Sequence, residues 1–264
     1  MSFSNKITPG RTDLKVGRLG ISSSYGAPAE AFEEAFERGC NYFTWGTFIK
    51  GRSKEMKKAI RNIIQKGQRE KLVLAMPTYS HNSLLTEISI YNGLKKLGIE
   101  YTDVMILGYY PSQPNRRIIE GSLKLKEKGL VRYLALSGHN RKLFPELIKE
   151  GFIDLFHVRY NAVNRGAEKD VFPHLEKGNS PGIISFTATR WGQLLKQKKM
   201  PPGEVAPTAV DCYRFVLSHP AVDVCMVGAR NTNMMKENLA VLDLAPMNEE
   251  ELNRMRRIGD YIYG

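Results

Sequence analysis

The sequence predicts an α/β fold, a single-domain (β/α)₈ TIM barrel over residues 1–264, on three observations. Short aliphatic and β-branched runs alternate with longer amphipathic stretches along the whole chain, the pattern of repeated strand–helix units around a parallel sheet. The alternation can be counted eight times, the number that closes a barrel. Several helical patterns end on glycine, at Gly39, Gly67, Gly98, Gly129, Gly151 and Gly178, where a left-handed cap residue is wanted. An open doubly wound sheet is the alternative, but its usual Gly-x-Gly-x-x-Gly nucleotide turn is missing.

The expected strands are 17–22, 42–45, 72–76, 104–108, 133–137, 155–159, 183–187 and 222–227. Each precedes an expected helix, at 29–38, 53–66, 83–97, 116–128, 142–149, 167–177, 210–217 and 234–244, and 248–264 reads as a last helix packed outside the barrel. A chain of 264 residues with 42% hydrophobic content can build one substantial core. No apolar run approaches the roughly 20 residues that span a bilayer, and the polar opening lacks a secretory apolar stretch, so a cytoplasmic location is expected. Cys40, Cys212 and Cys225 are too few and scattered for a disulfide framework or a zinc site and are expected to be buried thiols. The net charge of +12 favours anionic partners. The lysines and arginines line helices or loops without interleaved aromatics, however, so neither nucleic acid nor a membrane is expected as partner, and a small-molecule substrate is.

In such a barrel, chemistry belongs to the loops that follow the strands. Eight short signatures stand in order from about residue 12 to the C-terminal helix: "DLKVGRLGIS", "ERGCNYF", "REKLVLA", "LGIEYTDVMIL", "LKEKGLVRYLALSGH", "YNAVNRGAE", "VGARN" and "KENLAVLDL". Together they resemble the aldo-keto reductases. The resemblance implies a small-molecule carbonyl or alcohol substrate and NADP(H), with NAD(H) as the alternative. It also implies an Asp, Tyr, Lys and His tetrad, in which a cation makes a phenol a usable acid at neutral pH.

At those four places this sequence has Thr44, Ile49 or Lys50, Pro77 and Gly108. The chemistry would then need another proton donor, for which His139 and Tyr109 are the candidates, His139 first because imidazole titrates near neutrality. Tyr79 and Tyr110 are further phenols at the mouth, although tyrosines at a strand end are as often rim packing.

On the cofactor side, the resemblance implies that Ser137, His157 in place of a glutamine, and the ring of Phe186 meet nicotinamide. Thr187 and Thr189 with Arg190, and the segment beginning at Gly228, would hold phosphates. Met234 stands where an arginine for the 2′-phosphate is implied, Arg230 is the nearby cation, and Glu237 and Asn238 match adenine contacts. His157 is either a cofactor ligand or a satisfied core histidine; Lys50 and Arg190 serve phosphate or catalysis. Trp45 and Trp191 wall a pocket or simply pack, and His81, His174 and His219 are read as structural. The functional classes are an oxidoreductase with a rearranged acid–base set, a cofactor- or ligand-binding barrel without reductase activity, and, third, a lyase or isomerase.

Overall fold

Strands buried on both faces read as nearly unbroken apolar runs, and such runs form the wall of this molecule. The computed structural model describes residues 2–46, 53–176 and 178–263. In chain order the elements are β1 (Leu19–Ser22), α1 (Ala29–Glu37), β2 (Tyr42–Thr44), α2 (Ser53–Gln65), β3 (Val73–Thr78), α3 (Ser83–Leu97), β4 (Thr102–Leu107) and α4 (Arg116–Glu127). Then follow β5 (Val131–Gly138), α5 (Leu143–Glu150), β6 (Leu155–Arg159), α6 (Ala167–Asp170), β7 (Gly182–Phe186), α7 (Ala209–Ser218), β8 (Val224–Val227), α8 (Thr232–Leu239) and α9 (Glu249–Tyr263). All strand pairs are parallel, and β1 meets β8 with Leu19 opposite Cys225, so the sheet closes into the expected barrel.

Alternation along each strand sorts the side chains. Val104 and Ile106 of β4 fill the barrel with Tyr42, Ala75, Leu155 and Ile184, while Met105 and Leu107 face the helical shell. The helices start and stop where their ends are satisfied. Asn82, Asn115 and Asn231 each accept an N–H of the first turn, Thr208 and Asp211 form a capping box, and Gly98 and Gly151 close α3 and α5 in the left-handed region.

The base of the barrel carries a pattern that repeats four times. The side chain at the foot of each even strand accepts a backbone N–H from the preceding odd strand: Asn41 from Gly17 at 3.0 Å, Asp103 from Leu74 at 2.9 Å, Asp154 from Leu134 at 2.9 Å and Asp223 from Ile183 at 2.8 Å. Arginines surround these acids: Arg69 and Arg132 pair with Asp103, and Arg11 lies 3.8 Å from Asp154. Barrel carboxylates thus gather at the end that serves stability.

Two expectations are corrected, and one feature is added. The helix expected at 167–177 stops at Asp170, and Phe172–His174 is a 3-10 turn, because Pro173 donates no N–H and disfavours helical backbone in the residue before it. The helix expected at 234–244 starts at Thr232, where Asn231 caps it, and passes into a 3-10 turn over Ala240–Asp243. An antiparallel bridge between Ile7 and Val16, unforeseen from the sequence, brings Leu14 and Val16 under the barrel floor. The three cysteines are buried and unpaired; burial pushes the Cys40 thiol up to about 12. Among the described residues no helix is long and apolar enough to cross a membrane and no acid, histidine and cysteine cluster could hold a metal.

Candidate active site

At the C-terminal ends of the strands lies a cavity of about 150 Å³. Thr44, Pro77 and Gly108, three of the positions where the tetrad was sought, line one side of it, from β2, β3 and the end of β4. Ser137, His157 and Phe186, from β5, β6 and β7, line the other. The fourth tetrad position, at Ile49 or Lys50, falls outside the described residues. No carboxylate or ammonium group lines the cavity among the described residues.

The space beside Gly108 is filled by the ring of Tyr79. A Cβ built on Gly108 would lie 2.6 Å from two carbons of the Tyr79 ring and 3.0 Å from the carbonyl oxygen of Thr78, so the bare backbone of Gly108 is what lets the ring lie against it. Tyr79 stacks on Tyr109 at 5.2 Å, Tyr109 meets the ring of His139 at 5.6 Å, and His139 meets Phe186 at 5.8 Å. These four rings form an arc across the mouth. Tyr109 sits at φ 55°, a left-handed conformation that costs a residue with a side chain about 1 kcal/mol or more.

The floor is built by Tyr42 and His157. The Tyr42 hydroxyl lies 3.0 Å from Nε2 of His157, and both side chains are buried inside the barrel. Burial pushes the imidazole down to about 3 and raises the phenol well above its ordinary range, so both are neutral at physiological pH. A buried phenol O–H needs an acceptor, and Nε2 is its partner. That leaves the ring proton on Nδ1, which makes no hydrogen bond among the described residues and is not sealed from the cavity. His157 therefore presents a neutral N–H donor.

At the rim, His139 is exposed and held below its ordinary pKa by partial burial and by the nearby Arg159 guanidinium.

The segment after β7 is tightly set. Thr187, Arg190 and Trp191 all have positive φ. Asn161, fully buried, donates from Nδ2 to the Thr187 carbonyl at 2.9 Å while its Oδ1 accepts the N–H groups of Val163 and Asn164. Thr189 accepts the N–H of Gly192.

Arg190 does not point freely to the mouth, since its guanidinium donates to the carbonyl of Ile262 in α9. Asn238 is buried and donates to the Gly228 carbonyl, tying α8 to β8, whereas Glu237 and Arg230 are exposed at the surface. A Cβ on Gly228 would run into the Tyr25 ring, which fixes how closely β8 and the 3-10 turn after β1 approach.

Of the remaining residues named from the sequence, Trp45, His81 and His219 pack, whereas His174 is exposed. Trp45 is buried and donates to the Ser53 carbonyl, His81 stacks on Tyr110, and His219 lies against Tyr160 and Phe172. Trp191 is exposed.

One contributor escaped sequence reasoning. Tyr42 is placed by barrel closure, and only the period-two pattern of β2 could have pointed it inward; Tyr79, expected at the mouth, is there and lines the cavity.

Comparison with known proteins gives this geometry its relatives. A family model described as the aldo/keto reductase family matches residues 17–209 and 190–260. YqkF of Bacillus subtilis (strain 168), described as an uncharacterized oxidoreductase, is 20% identical over 293 residues, covering 94% of each chain. The holo form of aldo-keto reductase AKR11C1 from Bacillus halodurans superposes with a TM-score of 0.81 at 19% identity, over 97% of this chain and 96% of that one. A thermostable aldo-keto reductase, Tm1743, in complex with the inhibitor epalrestat, superposes with a TM-score of 0.77 at 21% identity, over 96% and 99%. The structural likenesses carry the fold, the family match carries membership, and the chain belongs to the aldo/keto reductase family of oxidoreductases.

Proposed function

We propose that the chain is a nicotinamide-dependent oxidoreductase of carbonyl or alcohol substrates, working with an acid–base set different from the tetrad its family resemblance implies. The observation that carries the reading is the shared cavity: Ser137, His157 and Phe186 face Thr44, Pro77 and Gly108 across it.

The residues present fit a dinucleotide in one further respect. The hydroxyls of Ser23 and Thr44, at the ends of β1 and β2, are buried without a hydrogen-bond partner among the described residues, and buried polar groups are normally satisfied. Of the two, Thr44 lines the cavity, where a polar ligand would meet it. The nicotinamide, when bound, donates or accepts a hydride. The chain's part is to hold and orient: His157 offers its N–H, Phe186 a ring face, and Asn161 fixes the backbone of the loop that begins at Thr187. NADP(H) is the expected form, with Arg230 the cation at the start of α8 and NAD(H) second. Protons would come from Tyr109, which lines the cavity, or from His139, which does not line it but whose ring lies 5.6 Å from that of Tyr109. The unpaired, buried cysteines support a cytoplasmic location.

Titrating NADPH and NADH fluorescence against the protein, followed by a panel of aldehydes, tests the reading. Saturable binding with slow turnover that falls in His139→Ala is expected; no saturable change with either dinucleotide overturns it. A second reading, a ligand-binding barrel without reductase activity, draws on the lack of any carboxylate or ammonium lining the cavity among the described residues, which leaves no partner there to lower a phenol's pKa. Tight dinucleotide binding with no turnover of any aldehyde decides for it.

A further inference from the structure

A guanidinium withdrawn from water is stable when its N–H groups meet acceptors. Nearly every half-buried arginine among the described residues obeys this. Arg18 donates to the carbonyls of Leu217, Val222 and Asp223; Arg69 and Arg132 pair with Asp103, Arg141 with Asp170, Arg165 with Asp260, and Arg190 caps the Ile262 carbonyl. Arg11, Arg214, Arg254 and Arg256 are likewise bonded. Arg159 is the exception. Its side chain is half-buried and its guanidinium stays open to solvent, and no carbonyl or carboxylate among the described residues accepts from it.

Its position gives the exception meaning. Arg159 ends β6, in register with Phe186 of β7, and stands two residues beyond His157 on the same face of the strand. Its charge reaches His139 and opposes the protonation of that ring. The other guanidinium groups without a partner among the described residues, at Arg117, Arg230 and Arg257, belong to exposed side chains, and none of them stands on a barrel strand. The barrel's acids Asp103, Asp154 and Asp223 lie at the opposite end.

We propose that Arg159 receives an oxyanion of the substrate, a carboxylate or a phosphate group, at the rim of the cavity. The inference rests on the reading of the mouth as a reductase site and gives it a substrate class: an acid whose carbonyl enters the cavity while its anionic group stays at the rim. A guanidinium suits this task because it offers two parallel N–H groups to one carboxylate.

Side-chain NMR of the Arg159 Nε–H group, assigned by its loss in Arg159→Lys, tests the contact without any turnover. Acetate, succinate and inorganic phosphate are the probes. A saturable shift with at least one, absent from Arg159→Gln, is expected; no saturable shift with any of the three overturns the proposal.

NADPH titration of Arg159→Gln separates the two possible sources of the oxyanion. Affinity within about twofold of the parent leaves the group to the substrate, whereas a loss of about tenfold or more, the worth of one charge-assisted contact, would assign Arg159 to the dinucleotide and overturn it. Where aldehydes are reduced, 4-carboxybenzaldehyde should be preferred over its methyl ester by about tenfold in kcat/KM, a preference that Arg159→Gln abolishes. The melting temperature of Arg159→Gln should match or exceed the parent's. A clear fall would show that Arg159 serves the fold and would equally overturn the proposal.

Discussion

The Tyr42 hydroxyl and the His157 Nε2 atom, 115 positions apart in the chain, meet at 3.0 Å inside the barrel. Tyr42 lies in the shortest strand of the barrel and His157 in the sixth, so the contact exists only once the sheet has closed. It fixes one end of the imidazole and turns the other to the cavity.

The first prediction concerns that tautomer. Long-range ¹H–¹⁵N NMR of His157 is expected to show a protonated Nδ1 and a bare Nε2, and Tyr42→Phe, which removes the hydroxyl proton, should release the constraint. A protonated Nε2 in the parent protein would reverse the direction of the bond and withdraw the Nδ1–H donor from the site.

A second prediction follows from the burial of the same ring. Its pKa is pushed from 6.5 to about 3 in the folded protein, so below pH 6.5 the unfolded chain binds a proton that the folded one refuses. The stabilising effect of keeping His157 neutral is complete above pH 6.5 and is lost as pH falls toward 3, at a rate of about 1.4 kcal/mol per pH unit. His157→Gln keeps an acceptor for Tyr42 and carries no titrating group. Urea denaturation between pH 4 and 7 should show a flatter acid limb for this variant; parallel limbs would mean that His157 does not titrate in that window.

The third tests the close approach of Gly108 and the Tyr79 ring. Because a Cβ at Gly108 would meet the Tyr79 ring at 2.6 Å, Gly108→His should destabilise by about 1–3 kcal/mol through overpacking. Tyr79→Ala in the same chain should recover most of that loss, the non-additivity expected of two groups sharing one space. If Gly108→His melts with the parent, the ring moves aside freely and the two positions are not coupled. Neither variant is expected to become an efficient reductase, since tetrad members act as a unit.

The barrel was legible in the sequence because strands covered on both sides must be apolar throughout. The 155–159 run and the 83–97 helix agree with the observed bounds to the residue. The stretch 167–177 misled because Glu168 and Lys169 continue a helical pattern into Pro173, where backbone chemistry overrides periodicity. The site was legible in part: strand ends can be located from the sequence, and Thr44, Pro77, Gly108, Tyr109, Ser137, His157 and Phe186 line the cavity, whereas His139, Thr187, Thr189, Arg190, Gly228, Arg230, Glu237 and Asn238 do not. What adjacency in the chain could not convey was contact across the barrel. Tyr79 over Gly108, Tyr42 under His157, and the capture of Arg190 by α9 each depend on where a distant element comes to rest. Arg159 left one faint trace in the sequence, a cation ending an otherwise apolar strand.

The four hydrogen bonds at the foot of the barrel divide it into modules. Each joins an odd strand to the even strand that follows, from Gly17 to Asn41, Leu74 to Asp103, Leu134 to Asp154 and Ile183 to Asp223. A cut in the loop between α4 and β5 would leave every such bond inside one fragment, two in each half, whereas a cut between β5 and β6 would divide the partners Leu134 and Asp154. The repeating unit of the foot is thus two successive strands with the helix between them, and the barrel sets four such units side by side.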